Sequence, residues 1–432
     1  MNIFLFTIDC LRYDMVRHEL MPFLTKLGRE AVFFQNAFAP APWTAPSFKS
    51  IFTGQEPFDQ GGKMNIYGYE TITKVLKKEG YATYAVHSNP WLTRKFGYEE
   101  GFDVFFDSLG EDLDGQPYLR TKAFLQKCTD SLDAAKDKQK VFFWAHSMDL
   151  HDPFLPSEQS FKKLFPDENY DFVRVNDLNK KYSKGLEFQD PSLLESKELG
   201  DIKKLYEASA IDVDFILQEF IKRAEEIFTG QENLFIILAD HGEQFAEHGG
   251  LAHGLYHYEE LIHVPLIFYS KDLGLKNRAI RDLVSLLDIF PTIAELAGLQ
   301  LAWQSLKGKS LSKLLKGKFS WRKHRKFVVS QEGRKDYTGI TKQNPEQAHL
   351  GKEFLSFSVR DQRHKFIYKE LGASEMLKIK QGIEYPVKQQ KKFLKLASNI
   401  KEEIRKSPDF KETSNAVDSA EIKQKLQDLG YM

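Results

Sequence analysis

Residues 231–270, QENLFIILADHGEQFAEHGGLAHGLYHYEELIHVPLIFYS, decide how the rest of this chain folds. The apolar run 234–238 suits a buried strand, and it breaks at its C-terminal end into Asp240, His241, Gly242 and Glu243. In open α/β sheets that edge is where ligands sit. An adjacent Asp-His pair joins a hard carboxylate to a borderline imidazole, a donor set for a divalent ion such as Zn, Mn or Mg. The pair alone is weak evidence for such an ion, and two other stretches strengthen it.

The first is the N-terminus. Asn2–Ile8 is an almost unbroken apolar strand that ends at Asp9, followed by Cys10, Leu11, Arg12, Tyr13 and Asp14. A carboxylate at the end of a buried strand can be a metal ligand if another strand end brings partners, or it can cap the next helix. The second is Pro42-Trp43-Thr44-Ala45-Pro46-Ser47-Phe48-Lys49-Ser50-Ile51-Phe52-Thr53-Gly54. Helical character from Ser47 onward predicts Thr44 just ahead of a helix N-terminus. Unpaired amides and the positive dipole end there favour an alkoxide and a phosphoryl or sulfuryl oxygen. A plain helix-capping threonine is the alternative.

In this order the pieces resemble the sulfatase branch of the alkaline phosphatase superfamily. The sulfatase signature C-x-P-S-R-x-x-x-x-T-G is matched from Thr44, through Pro46 and Ser47, to Thr53 and Gly54 at the same spacing. Asp9 is similar to the family's first ligand, and Asp240, His241, Gly242 and Glu243 to its D-H/N-G-E segment. His253-Gly254, Tyr258-Glu259-Glu260 and Val264-Pro265-Leu266 resemble its H-G, Y-E-E and V-P-L patterns. FFWAHSMDLHDP, residues 142–153, resembles a strand ending in a His-x-Pro-like element, which implies His151 in the site. Gly80 to Thr83, Gly101 to Asp103 and Pro291 to Ala294 match further landmarks, so the likeness covers roughly residues 1–370.

The departures bear on the chemistry. Sulfatases oxidise a cysteine or serine to formylglycine, and Thr44 cannot yield that aldehyde, so it would act as a plain hydroxyl nucleophile. Phe48 stands in place of an arginine, and Ser88 and Pro90 in place of a lysine and a histidine that clamp sulfate. Threonine at this position occurs in the superfamily's phosphodiesterases and phosphotransferases, so the resemblance implies a phosphate ester substrate. A divergent sulfatase and a catalytically silent ligand-binding relative are the alternatives.

One divalent ion (Mn, Mg, Zn or Ca) is expected on Asp9, Thr44, Asp240 and His241. Asp212 is followed by Ile216 rather than the His of a two-metal site, and Cys10 stands where sulfatases place a second aspartate. Cys10 can coordinate a soft ion or pack as a buried thiol, and packing is expected. His151 and His253 are catalytic candidates, contacting the transferring group or protonating the leaving oxygen. Asn89, Lys49 and His146 are candidate substrate-binding residues. Lys49 can replace the lost cation or point to solvent, and His146 can be a hydrogen-bonded core residue. Structural or solvated roles are expected for His248, His257 and His263.

Composition is ordinary for a soluble globular protein. Lys plus Arg and Asp plus Glu number 61 each, so no net field draws the chain to nucleic acid or an anionic membrane. The 2 cysteines fit a reducing compartment, and the apolar runs are far short of the roughly 20 residues of a membrane helix. The chain starts directly on a strand, so no signal peptide and a cytoplasmic location are expected. Partners would be a small-molecule or glycan- or lipid-linked ester, with no nucleic acid and no membrane span.

Strands alternate with amphipathic stretches at 72–80, 119–135 and 201–228. That pattern predicts an alkaline-phosphatase-like α/β fold, a mostly parallel sheet covered by helices on both faces. A catalytic domain is expected over 1–320, with a variable insertion at about 154–205 read as loops that cover the site and select substrate. The subdomain 321–432 should hold short strands at 326–330, 354–360 and 365–368. Its Lys-rich helices at 387–404 and 420–429 would dock on the body or mediate homo-oligomerisation.

Overall fold

The computed structural model describes residues 1–60, 65–110, 113, 118–188, 191–275, 277–300, 306–317, 324–334, 354–370 and 373–406. The expected helix at 420–429 lies outside them. Eight strands form the main sheet, in the order Arg278–Ile280, Val32–Phe34, Leu266–Tyr269, Asn233–Ala239, Asn2–Ile8, Val141–Ser147, Ala82–Val86, Val104–Phe106. All neighbours run parallel except Leu266–Tyr269, which is antiparallel to both of its neighbours. The three central strands are buried along their whole length, as expected where helices cover both faces.

Alternation along the strands divides the core. Phe4, Phe6 and Phe143 meet Phe220 of the Ser196–Ile227 helix on one face. On the other, Trp144 meets Phe48 and Phe52 of the Thr44–Thr53 helix. Register then sets the site: Ile8 lies opposite both Ser147 and Ala239, so Asp9 and Asp240 leave the sheet side by side.

A second sheet of five antiparallel strands runs Val328–Arg334, Phe354–Arg360, His364–Lys369, Glu375–Lys380, Ile383–Pro386. The last two strands were not foreseen from the sequence. The Lys391–Lys406 helix covers this sheet: Phe393, Ala397, Ile400 and Ile404 fall on one stripe and join Leu355, Phe357, Val359 and Phe366 in a separate core. Its lysines lie outside that stripe.

The segment at 154–205 is corrected. It is not loop but helical, with helices at Glu158–Leu164 and Phe172–Phe188, and the next helix already begins at Ser196. Ser157 caps the first of them, and Asp212 accepts hydrogen bonds from Ser157 N, Ser157 Oγ and Ser160 Oγ. No helix among the described residues is long and apolar enough to cross a membrane.

Candidate active site

The Thr44–Thr53 helix starts at Thr44 itself, three residues before the Ser47 start expected from the sequence, so Thr44 lies in the first turn rather than ahead of it. Trp43 is fully extended (φ −162°, ψ 167°) and serves as the cap, while Pro46 falls in the first turn, where a missing N–H leaves no bond unmade. Gly54, at φ 67°, ends the helix in the left-handed conformation that glycine adopts without strain. Trp43 Nε1 donates to Glu332 of the small sheet at 2.5 Å, and Gln331 N donates to Pro40 O, so a distant strand braces the loop ahead of Thr44.

Thr44, Asp9, Asp240 and His241 come together, all fully buried. His241 Nε2 lies 3.0 Å from Thr44 Oγ1, 3.2 Å from Asp9 Oδ1 and 3.5 Å from Asp240 Oδ2. Its Nδ1 faces Gly242 O at 2.8 Å; a carbonyl only accepts, so Nδ1 carries hydrogen and Nε2 is the nitrogen aimed at the cluster. Gly242 is needed there, because a Cβ would stand 1.9 Å from Glu260 O. Ser47 Oγ donates to Asp240 O at 2.7 Å and ties the helix to this strand end.

Asp9 is held from several sides. Asn89 Nδ2 donates to Oδ2 at 2.9 Å, His146 Nε2 faces Oδ2 at 3.2 Å, and Cys10 Sγ donates to Oδ1 at 3.2 Å. Burial opposes the Asp9 charge, yet the His146 and His241 hydrogen bonds hold its carboxyl well below the usual range. Burial and the neighbouring Asp9 push Asp240 up instead, and neither Asp240 oxygen accepts a hydrogen bond among the described residues. Burial also opposes the His241 charge, but Asp240 and Asp9 outweigh it and lift the imidazole to about 9. The donor atoms of Asp9, Asp240 and His241 lie within 4.8 Å of one another, a geometry able to hold a metal.

A second group adjoins it. His253 Nδ1 is 3.1 Å from Glu243 Oε2 and 3.7 Å from Cys10 Sγ, and its ring centroid is 4.5 Å from that of His241 and 5.1 Å from that of His151. His151 Nδ1 faces Asp152 O at 2.8 Å. Burial raises Asp152 and Glu243 to about 7 each. The raised His151 pKa is opposed by burial and driven by Asp152 and Asp9.

The three residues expected to bind substrate take different places. Asn89 accepts from Trp91 N and donates to Asp9, and His146 sets its Nδ1 against Thr7 Oγ1 at 2.9 Å, so both lie against the Asp9 carboxylate or behind it. Lys49 does not reach solvent: it is 2% exposed, with its ammonium 4.4 Å over the Tyr69 ring. Among the other histidines, His257 meets Ser356 Oγ, His263 meets Gln35 O and His248 pairs with Glu260.

Sequence reasoning assigned no role to Glu243, Asp152 or Arg12. Arg12 is 5% exposed, pairs with Asp14 and Glu247 and donates to Glu243 O, steadying the turn that carries Glu243. Two signals were available in the chain: the Asp-Pro pair at the end of FFWAHSMDLHDP, and an acid next to Gly242.

The family profile described as Sulfatase matches residues 7–299. A sulfatase of Formosa agariphila is 26% identical over 352 residues, 68% of this chain and 67% of its own. Human iduronate 2-sulfatase is 23% identical over 388 residues, 70% of each chain. The phosphonate monoester hydrolase SpPMH of Silicibacter pomeroyi shares the fold at a TM-score of 0.70 with 17% identity, over 94% of this chain and 96% of that one.

Proposed function

The chain belongs to the sulfatase family of ester hydrolases, and on that premise we propose that it acts on phosphate esters, phosphodiester or phosphomonoester, with Thr44 as nucleophile and one divalent metal ion as cofactor. The observation that carries this is the Thr44 hydroxyl in the first turn of a helix, 3.0 Å from His241 Nε2 and beside an Asp240 carboxylate that accepts no hydrogen bond among the described residues. Buried polar groups are nearly always partnered, so the orphaned Asp240 oxygens fit a cation held by Asp9, Asp240, His241 and Thr44. Bound there, an ion such as Mn, Mg, Zn or Ca would supply Lewis acidity, easing loss of the Thr44 proton and polarising an ester oxygen.

The remaining chemistry belongs to the chain. Thr44 Oγ releases its proton to solvent and bonds to phosphorus as the bond to the leaving oxygen breaks, while the first-turn amides favour the negative charge that develops. His253 or His151 donates a proton to the departing oxygen. Water or an acceptor alcohol then displaces the threonine oxygen and regenerates the hydroxyl. Sulfate suits this cycle less well, because a sulfated threonine has no hydrated aldehyde from which to expel sulfate. Phe48, at the place of the sulfatase arginine, packs its ring against Trp144 and His146. Phosphonate monoester hydrolases, whose fold this chain shares, act by name on phosphorus esters.

A sulfate ester is the second reading, favoured by the sulfatase names of the sequence relatives. Purified protein loaded with each ion and offered aryl phosphodiesters, phosphomonoesters and sulfates separates the two. Turnover of a phosphorus ester well above any sulfate is expected, abolished in Thr44→Ala and partly kept in Thr44→Ser. Sulfate turnover exceeding every phosphate ester overturns the substrate class, and undiminished activity in Thr44→Ala overturns the nucleophile.

A further inference from the structure

We propose that Cys10 is a thiolate ligand of the ion held by Asp9, Asp240 and His241, and that it tunes the site to zinc or a similarly thiophilic divalent ion over magnesium or calcium. This rests on the reading of that cluster as a metal centre. From the sequence the thiol was expected to pack as a buried apolar group; it does join the apolar core, but polar atoms of Asp9 and His253 also meet it. Cys10 is fully buried, with Sγ 3.2 Å from Asp9 Oδ1 and 3.7 Å from His253 Nδ1. Its backbone takes φ 58°, a region that non-glycine residues seldom adopt. The donor atoms of Cys10, His241 and His253 lie within 4.8 Å of one another, as do those of Asp9, Asp240 and His241. His241 belongs to both groups, and Asp9, which accepts from the thiol, belongs to the second, so the thiol adjoins the cluster of Asp9, Asp240 and His241.

The donor set then discriminates among ions. Calcium takes about six to eight oxygen ligands, and magnesium demands an octahedron of oxygens. Here two carboxylates and an imidazole converge, with a threonine hydroxyl against the imidazole and a thiol against one carboxylate. Zinc accepts four ligands drawn from just such nitrogen, sulfur and oxygen donors, and thiolate is the softest of them. On coordination the thiol proton passes to solvent as the sulfur–metal bond forms. The other cysteine gives an internal contrast: Cys128 is buried in the Thr121–Ala134 helix and belongs to no group of possible metal ligands among the described residues.

Cobalt(II) titrated into the metal-free full chain tests this through the near-ultraviolet thiolate-to-cobalt charge-transfer band. The band should appear in the natural protein and in Cys128→Ser and vanish in Cys10→Ser. Zinc X-ray absorption of the unmutated, zinc-loaded protein should show one sulfur at about 2.3 Å, a readout independent of how any variant folds. In competition, the preference for zinc over magnesium should fall at least about tenfold in Cys10→Ser. One bound equivalent with no band and no sulfur neighbour would overturn the role of Cys10 while the centre at Asp9, Asp240 and His241 stands. A protein that takes up neither cobalt nor zinc nor magnesium overturns the centre and this inference with it.

Discussion

Two clusters of buried charge sit within this molecule, and they are finished differently. At the junction with the small sheet, both Glu259 oxygens are met by Arg360, at 3.0 Å each, and Lys365 adds a bond at 3.2 Å. Lys365 also pairs with Glu384, whose other oxygen accepts from Glu259 N. Each charge there has its counter-charge, and Arg360 and Lys365 hold the Glu259 carboxyl far below its usual range against the effect of burial. At the strand ends, Asp9, Asp152, Asp240 and Glu243 face histidines instead, and Asp240 keeps two oxygens without a hydrogen bond. Buried charge that serves architecture is closed by fixed partners. Charge kept for chemistry is left open for something that arrives later.

That contrast can be broken first by removing one partner from each cluster. Arg360→Met should cost about 3 kcal/mol or more of unfolding free energy, because Glu259 stays buried with two of its three side-chain hydrogen bonds gone. Asp240→Asn should cost the metal-free protein much less, since no hydrogen bond to that carboxylate is lost, while divalent ion binding collapses. Denaturant unfolding beside metal analysis reads both, and equal stability losses would erase the distinction.

A smaller effect is expected at His253. If it protonates the leaving oxygen, His253→Ala should slow hydrolysis of a poor leaving group by about 10²- to 10⁴-fold and an activated aryl ester far less. Equal losses on both substrates would leave the residue a binding role only.

The smallest effect is a pH slope. Asp152 and Glu243, raised to about 7, bind protons in the folded state that the unfolded chain has already released, so their contribution falls as pH rises from about 4 to 7. His241, lifted to about 9, contributes fully below about 6.5 and loses that contribution as pH rises through 9. The metal-free thermal midpoint should therefore decline from the acid side of neutrality to pH 9, and a saturating ion should flatten the decline by replacing the His241 proton. An identical slope with and without ion would contradict the open cluster.

The open cluster was more legible from sequence than the closed one. Asn2–Ile8 and Phe354–Arg360 were located to the residue, because unbroken or alternating apolar runs carry their own boundaries. Asp9, Asp240 and His241 each end or follow such a run, so the strand-end rule and the family likeness pointed to one edge. Glu259 and Arg360 lie 101 positions apart on elements with no shared period, and nothing local joins them. Glu158–Leu164 and Phe172–Phe188 escaped because polar, lysine-dotted sequence hides a helix whose stabilisation comes from tertiary contacts. Glu375–Lys380 and Ile383–Pro386 are short, half-exposed strands past the end of the family likeness.

The bond from Trp43 to Glu332 spans 289 positions of chain. During synthesis, then, the loop that presents Thr44 emerges from the ribosome long before the strand that braces it has been translated. A nascent chain therefore lacks this brace until the first strand of the small sheet has been made, which ties the setting of the Thr44 loop to that later strand.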